Sequence, residues 1–296
     1  MNRFSVSTDS TADLYANEIK QLNVFFLPLS ISYTRDGNTE ILPDSFQDYH
    51  DYVDFYNKLR NGYEIKTSMN NNYIHEEYFR SIAKSGVKEL IHFTISSGLA
   101  RTVEVAGQAI EEVRKEYPDF HCIVIDPLTT TVGQGLLVKL ACEMRDAGKS
   151  LQETADYINE IKNHIQNYIL INNLDYLKRG GRISGFAAQI GKIAKLTIMI
   201  DFDKYGKLQI CNKTMGGLRR GIAGILGGLD IHKPLPDARC IVVHSDNPEG
   251  ANELANAIEQ KCGIKPEIRI MGPTIGAHVG PDGVAYIYLS QDVRNN

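Results

Sequence analysis

The pattern of apolar and polar positions differs between the two halves of the chain. In the first half, short apolar runs at 4–8, 90–95 and 123–126 are each followed by a segment with apolar residues at helical spacing. One such segment carries Val103, Ala106, Ile110 and Val113. This alternation of strands and helices predicts an α/β domain with a parallel sheet over residues 1–165.

The second half has a more mixed pattern. Strands are predicted at 169–174, 196–200, 208–212, 239–244, 268–271 and 284–289, and helices at 215–229 and from Pro248 onward. Tyr205 and Gly206 mark a hairpin between two of these strands. The pattern predicts an α+β domain over residues 166–296.

A segment near the carboxyl end, residues 272–283, surrounds His278 with glycines and prolines. Glycine permits positive φ and close approach of a ligand, whereas proline fixes φ and opposes helix formation. We therefore expect a rigid loop that presents an imidazole. A plain turn before the last strand is the alternative.

Composition narrows the classes of function. The 296 residues are 43% hydrophobic and 23% charged with a net charge of −4, so a globular protein without a nucleic-acid partner is expected. The five cysteines are widely spaced and form no C-x-x-C pair, so no metal or redox site is expected. The amino terminus turns polar too soon for a signal peptide, and no apolar run reaches the length of a membrane span. We expect a cytoplasmic protein with at most transient membrane contact.

Hydroxyl side chains recur at the predicted ends of elements. Thr67 and Ser68 lie between two predicted helices, and Ser96, Ser97 and Gly98 lie where a strand ends and a helix begins. In a parallel sheet, ligands bind outside the carboxyl ends of the strands, where free helix N–H groups favour an anion. Helix capping explains the same hydroxyls equally well. The residues alone thus predict a hydroxyl-rich crevice that contains a histidine.

The parts of a serine hydrolase are also present. Such an enzyme needs a serine, a histidine and an acid, and Ser97, His278 and Asp9 or Asp126 are available. The G-x-S-x-G motif is absent, however, as are the P-loop, the dinucleotide fingerprint and the H-E-x-x-H zinc motif. A serine-type hydrolase or acyltransferase that uses Ser97 and His278 stays open as an alternative.

Six short motifs occur along the chain in a fixed order. They are Asp-Ser-Thr-Ala-Asp-Leu at 9–14, Thr-Ser at 67–68, Ile-Ser-Ser-Gly-Leu at 95–99, the segment 126–135, Leu-Lys-Arg-Gly-Gly-Arg-Ile-Ser at 177–184 and Gly-Ala-His-Val-Gly-Pro at 276–281. Together they span essentially the whole chain, and their order resembles the DegV family of bacterial fatty-acid-binding proteins.

This resemblance implies a carrier rather than an enzyme. Such a protein would hold one long-chain fatty acid, such as palmitate, stearate or oleate, between its two domains and would need no cofactor. Better-studied members are the lipid-binding subunit of a fatty acid kinase. They present the carboxylate to a separate ATP-binding subunit for conversion to acyl phosphate.

Carried over residue by residue, the resemblance predicts two functional groups. The carboxylate would be bound by Thr67, Ser68, Ser96, Ser97, Gly98 and His278. The kinase subunit would dock on Lys178, Arg179 and Arg182, for which a solvated turn that caps a helix is the alternative.

The chain departs from the family pattern at three places. Residues 70–72 are asparagines where proline and serine are usual, Ala100 and Arg101 stand where serine and glycine are usual, and Asp282 stands where glycine is common. Arg101 could offer its charge to a carboxylate or face solvent. Because Thr67, Ser97 and His278 are retained, the carboxylate site is still expected.

Overall fold

The computed structural model describes residues 4–182, 196–236 and 238–294. Within these ranges the strands are β1 (Ser5–Asp9), β2 (Val24–Leu27), β3 (Ser30–Arg35), β4 (Asn38–Pro43), β5 (Glu64–Ser68), β6 (Glu89–Phe93), β7 (His121–Ile125), β8 (Ile165–Ile171), β9 (Leu196–Phe202), β10 (Leu208–Met215), β11 (Cys240–His244), β12 (Glu267–Ile270) and β13 (Val284–Leu289). The helices are α1 (Ala16–Gln21), α2 (Tyr49–Arg60), α3 (Asn72–Lys84), α4 (Thr102–Glu116), α5 (Val132–Asp146), α6 (Leu151–Ile161), α7 (Asp175–Arg179), α8 (Gly217–Ile231), α9 (Pro248–Cys262) and α10 (Pro273–Val279).

The first large sheet is parallel, as the alternating pattern predicts. Its strand order is β2-β1-β6-β7, and every neighbouring pair is parallel. Helix α4 connects β6 to β7, because parallel neighbours need a crossover rather than a tight turn. The carboxyl ends of these strands therefore lie at one edge of the sheet, where the 95–99 motif begins.

The second large sheet is mixed, and with its helices it confirms the α+β prediction. Its order is β10-β9-β8-β13-β11-β12, in which the β11–β12 pair is parallel and the other pairs are antiparallel. The predicted hairpin at Tyr205 and Gly206 joins β9 to β10. All described strands from Ile165 onward lie in this sheet. The domain boundary at residue 165 stays a prediction.

A third sheet, antiparallel with order β4-β3-β5, was not expected. Residues 24–33 form two strands in different sheets, with Pro28 between them, because proline offers no N–H to a sheet ladder. Thr67 and Ser68 lie at the end of β5 rather than between two helices, which corrects the sequence prediction. Thr67 is paired with Ile31 of β3.

The segment around His278 contains a helix, so the expectation of a rigid loop was wrong. Pro273 is at the start of α10, where its missing N–H costs nothing because the first N–H groups of a helix have no partner inside it. Gly272 precedes the helix, and Gly280, at a φ of 78°, ends it. The prolines and glycines therefore mark the ends of a short helix with His278 in its last turn.

One apolar core joins the two large sheets. Its buried side chains include Ile91 and Phe93 of β6 together with Ile169, Ile200 and Ile287 of the mixed sheet. Burial of each such side chain contributes about 1.5–3 kcal/mol relative to exposure. Side chains of α5 and α6 lie in the same core, so the two sheets and these helices share one interior. No helix within the described ranges is long and apolar enough to cross a bilayer.

Candidate functional site

A cavity of about 390 Å³ lies between the first sheet and the mixed sheet. This volume falls within the range of about 300–1,000 Å³ that small-molecule sites occupy. Its wall is mostly aliphatic and is formed by Leu29, Met69, Ile95, Leu99, Ala100, Ile169, Ile171, Leu177, Ile200, Phe202, Leu208, Ile275 and Val279. We call this space the main cavity. It suits an apolar chain rather than a polar metabolite.

Two of the predicted carboxylate-binding residues meet at the wall of the main cavity. Thr67 Oγ1 lies 2.9 Å from His278 Nε2, although the residues are 211 positions apart in the chain. Thr67 comes from β5 and His278 from α10, so the pair joins the small antiparallel sheet to the carboxyl-terminal region. Both side chains, and Ser68 beside them, line the main cavity.

The imidazole of His278 is held in place by backbone. A Cβ added to Gly180, just after α7, would lie 2.0 Å from His278 Nδ1, so the ring rests directly on this glycine. Burial, together with the positive charge of Arg182, lowers the pKa of His278 to about 4. The ring is therefore neutral at pH 7.

The neutral ring carries its proton on one nitrogen. Within the described residues, Nδ1 of His278 is buried without a hydrogen-bond partner. A buried N–H without an acceptor is costly, which favours the tautomer with its proton on Nε2. In that tautomer Nε2–H donates to Thr67 Oγ1, and the hydroxyl hydrogen of Thr67 is left to donate to a ligand.

The other predicted carboxylate-binding residues lie elsewhere. Ser96 is buried and its hydroxyl donates to the carbonyl of Gly206 at 2.8 Å, at the tip of the β9–β10 hairpin. Gly98 fits against the same carbonyl, since an added Cβ would lie 2.1 Å from it. Ser97 is exposed, and its N–H donates to Asp126. None of the three is among the described residues that line the main cavity.

The geometry therefore divides the six predicted residues into two groups. Thr67, Ser68 and His278 are brought together at the main cavity. Ser96 and Gly98 instead contact the carbonyl of Gly206 at the tip of the β9–β10 hairpin. In the described part of the chain no hydrogen bond joins Ser97 to His278.

The basic segment lies at the same end as His278. Lys178, Arg179 and Arg182 are exposed, and the Arg179 guanidinium lies 4.5 Å from the centre of the Tyr176 ring. Arg179 and Arg182 line a second cavity of about 470 Å³, whose wall also includes Thr67 and His278. The two cavities thus share the Thr67–His278 pair. Ile183, Ser184 and the helix predicted after them lie outside the described residues.

The 9–14 motif supports the site without lining the main cavity. Asp9 is buried and accepts hydrogen bonds from Thr11, Gln134 and the N–H of Ile95. Burial raises the pKa of Asp9 and these hydrogen bonds lower it. The resulting pKa is about 6, above the usual value of an aspartate. This carboxylate ties the end of β1 to the end of β6.

Two more buried carboxyls in this region anchor α10, and sequence reasoning did not predict them. Asp13 accepts hydrogen bonds from the Thr131 hydroxyl and the N–H of Gly272, and Asp44 accepts from the hydroxyl and N–H of Thr274. Burial raises the pKa of Asp13 to about 7 and that of Asp44 to about 6. Negative groups are favoured at a helix N-terminus, so both hold the helix that carries His278. The only sequence signal was the cluster of acids and hydroxyls at 9–13.

The departures from the family pattern make contacts away from the Thr67–His278 pair. Arg101 faces solvent and pairs with Glu104. Asn70 donates to the carbonyl of Pro28, and Asp282 pairs with Arg60. The exception is Ala100, which contributes to the apolar wall of the main cavity.

A family model described as an uncharacterised protein of the DegV family matches residues 3–291. The chain belongs to the DegV family. The resemblance carried by the six motifs is thereby confirmed. One relative, a DegV domain-containing protein of Clostridium perfringens, is 33% identical over 296 residues, with 98% of each chain covered.

Two solved structures from Thermotoga maritima share the fold. One, a DegV lipid binding protein, has a TM-score of 0.83 and 25% identity, and the match covers 99% of this chain and 100% of that one. The other, described as a hypothetical protein that reveals fatty acid binding function, has a TM-score of 0.82 and 26% identity, with 98% and 100% covered.

Proposed function

We propose that this DegV chain binds one long-chain fatty acid in the main cavity, with the carboxylate at the Thr67–His278 pair. The observation that carries the proposal is an aliphatic cavity whose wall contains one hydroxyl–imidazole pair from two distant parts of the chain. The two Thermotoga maritima proteins, whose descriptions name lipid or fatty acid binding, support it.

The tail provides most of the binding free energy. Each buried methylene contributes about 0.8 kcal/mol, so a palmitate or oleate tail gains on the order of 10 kcal/mol before ordering costs. Aliphatic side chains such as Ile169, Ile200 and Leu208 provide this environment. A tail of this length is therefore sufficient for tight binding.

The head group sets the polar requirement, because a carboxylate buried without donors is costly. The Thr67 hydroxyl donates to one oxygen, and Ser68 and the Nε2–H of His278 lie beside it. The neutral His278 ring orients the Thr67 hydroxyl through the hydrogen bond from its Nε2–H.

We further propose that the chain presents the carboxylate to a separate ATP-binding kinase subunit that docks on Lys178, Arg179 and Arg182. Their exposure and their position beside the second cavity support this, since that cavity shares Thr67 and His278 with the main one. A phosphate donor that approaches from this side would meet cations before it meets the carboxylate.

Lipid extraction and titration test the function. Purified protein is denatured and its extract is analysed by mass spectrometry, and delipidated protein is titrated with oleate. We expect a near-stoichiometric fatty acid and a loss of affinity of about tenfold or more in Thr67→Val and His278→Ala. Thr34→Val is the matched control, because the Thr34 hydroxyl pairs with Thr39 on an exposed part of the same sheet. Absence of oleate binding, or equal affinity in all variants, would contradict the proposal.

A further inference from the structure

Met69 is exposed to solvent and also forms part of the wall of the main cavity. Its side chain is 39% exposed, and the residue directly follows β5. Among the other methionines in the described part of the chain, Met144, Met199 and Met271 are not exposed, and Met215 is 68% exposed but does not line the main cavity. Susceptibility of methionine to oxidation follows its exposure, so Met69 is the position where an oxidant in solution can alter the cavity wall.

The backbone on both sides of Met69 is held in place. Ser68 belongs to the hydrogen-bonded ladder between β3 and β5, and the side-chain amide of Asn70 donates to the Pro28 carbonyl at 3.1 Å. Leu29, which follows Pro28, is buried and lines the main cavity as well. The Met69 side chain therefore stays beside an aliphatic wall, and a change in its polarity changes the surface that meets a lipid tail.

We propose that Met69 is a site of reversible oxidation through which peroxide lowers the affinity of the main cavity for lipid. This inference rests on the proposed binding of a fatty acid. A lone pair of the thioether sulfur attacks one oxygen of hydrogen peroxide, so that an S–O bond forms as the O–O bond breaks. The departing hydroxide takes the proton of the transferred hydroxyl group, which gives methionine sulfoxide and water. The sulfur loses two electrons, and the peroxide gains them.

The sulfoxide is polar, whereas most of the cavity wall is aliphatic. When lipid binds, the sulfoxide oxygen exchanges water for methylene groups that donate no hydrogen bond, and this exchange is unfavourable. Oxidation therefore weakens lipid binding. A thiol-dependent methionine sulfoxide reductase reverses the change, because it removes the oxygen as water while two thiols become a disulfide.

The test oxidises three proteins: the wild type, Met69→Leu and Met215→Leu. Each delipidated protein is treated with hydrogen peroxide and then with dithiothreitol, which reduces disulfides but leaves methionine sulfoxide unchanged. Peptide mass spectrometry measures the oxidation of each methionine. Affinity before and after treatment is measured by titration with oleate and with methyl oleate, which has the same tail without the charge.

We expect oxidation to weaken the binding of both lipids about tenfold in the wild type and in Met215→Leu, each compared with the same protein before treatment. The corresponding loss in Met69→Leu should stay below about twofold, because leucine forms no sulfoxide. Treatment of the oxidised wild type with methionine sulfoxide reductase should restore its affinity.

Several results would overturn the inference. Unchanged affinity in wild type that carries the sulfoxide at Met69 shows that the sulfoxide does not disturb the cavity, and absence of this sulfoxide when Met215 is oxidised shows that the oxidant does not reach Met69. An equal loss in the wild type and Met69→Leu places the effect at another residue. A loss confined to oleate places it at the carboxylate site. Wild type that binds neither lipid before treatment refutes the proposed function itself.

Discussion

The hydroxyl of Ser96 donates a 2.8 Å hydrogen bond to the carbonyl of Gly206, 110 residues further along the chain. This hydrogen bond holds the tip of the β9–β10 hairpin against the turn after β6. Phe202 and Leu208, which flank the hairpin turn, line the main cavity, as does Leu99 in the turn after β6. The contact therefore closes the cavity between the two large sheets.

We predict that Gly98→Ala disturbs this closure. The added Cβ would lie 2.1 Å from the Gly206 carbonyl oxygen, so backbone must shift. Overpacking of this kind costs about 1–3 kcal/mol, and we expect a lower melting temperature with faster release of bound oleate. Gly107→Ala is the control, because no atom lies within 4 Å of its new Cβ and alanine favours the helix. Equal melting temperatures and equal rates of oleate release in Gly98→Ala and Gly107→Ala would show that the contact between the turn and the hairpin does not affect the cavity.

Gly180→Ala should displace His278 without changing the imidazole itself. Its Cβ would lie 2.0 Å from Nδ1, so the ring must rotate away from Thr67. We expect oleate affinity to fall about tenfold or more while methyl oleate binding changes much less. Titration with both lipids measures this difference. Retention of full oleate affinity in Gly180→Ala would show that the contact between Gly180 and the His278 ring is not needed for oleate binding.

Buried histidines should reduce folding stability in mild acid, against the opposite contribution of the buried carboxyls Asp9, Asp13 and Asp44, whose raised pKa values favour the folded state there. His75 is buried, stacks on Phe79, and burial lowers its pKa to about 4; burial also lowers the pKa of His92 well below the usual value. As pH falls below 6.5, these histidines take up protons in the unfolded chain but not in the folded protein, so their contribution to folding stability is lost between pH 6.5 and about 4.

The variant His75→Phe isolates this contribution. Urea denaturation at pH 7 and pH 5 should show a change in stability on going to pH 5 that is more favourable in His75→Phe than in wild type by about 1–2 kcal/mol, since one pKa unit corresponds to about 1.4 kcal/mol. The exposed His50 provides the matched control His50→Phe, which should show the same change as wild type. A change in His75→Phe equal to that of wild type would contradict the assignment.

Charge reversal separates kinase docking from lipid binding. In Lys178→Glu combined with Arg179→Glu, oleate binding should persist, whereas acyl phosphate formation with an ATP-binding kinase subunit should fall at least about tenfold. Lys88→Glu, at an exposed position in the first half of the chain, should leave both unchanged. Loss of lipid binding in the double variant would indicate a folding role for α7 instead.

Local sequence pattern predicted much of the fold because periodicity and turn residues act over short distances. The hairpin at Tyr205 and the parallel sheet are examples. The split of residues 24–33 between two sheets was missed, since only long-range pairing decides which sheet a strand joins. Proline misled the prediction at α10, because Pro273 stands at the start of the helix, the position where proline is tolerated.

The site was predictable only in part. The six motifs contained the candidate residues. Their spacing in the sequence could not distinguish a residue that contacts the ligand from one that packs against another part of the protein. Thr67 and His278 meet at the cavity wall, whereas Ser96 bonds to a hairpin from the other end of the chain.

The most direct test of the account is a crystal structure of the delipidated protein with oleate. We predict that one carboxylate oxygen lies about 2.5–3.2 Å from Thr67 Oγ1, with the tail against Ile169 and Ile200. A carboxylate at the hairpin end of the main cavity, or oleate bound outside it, would contradict the account.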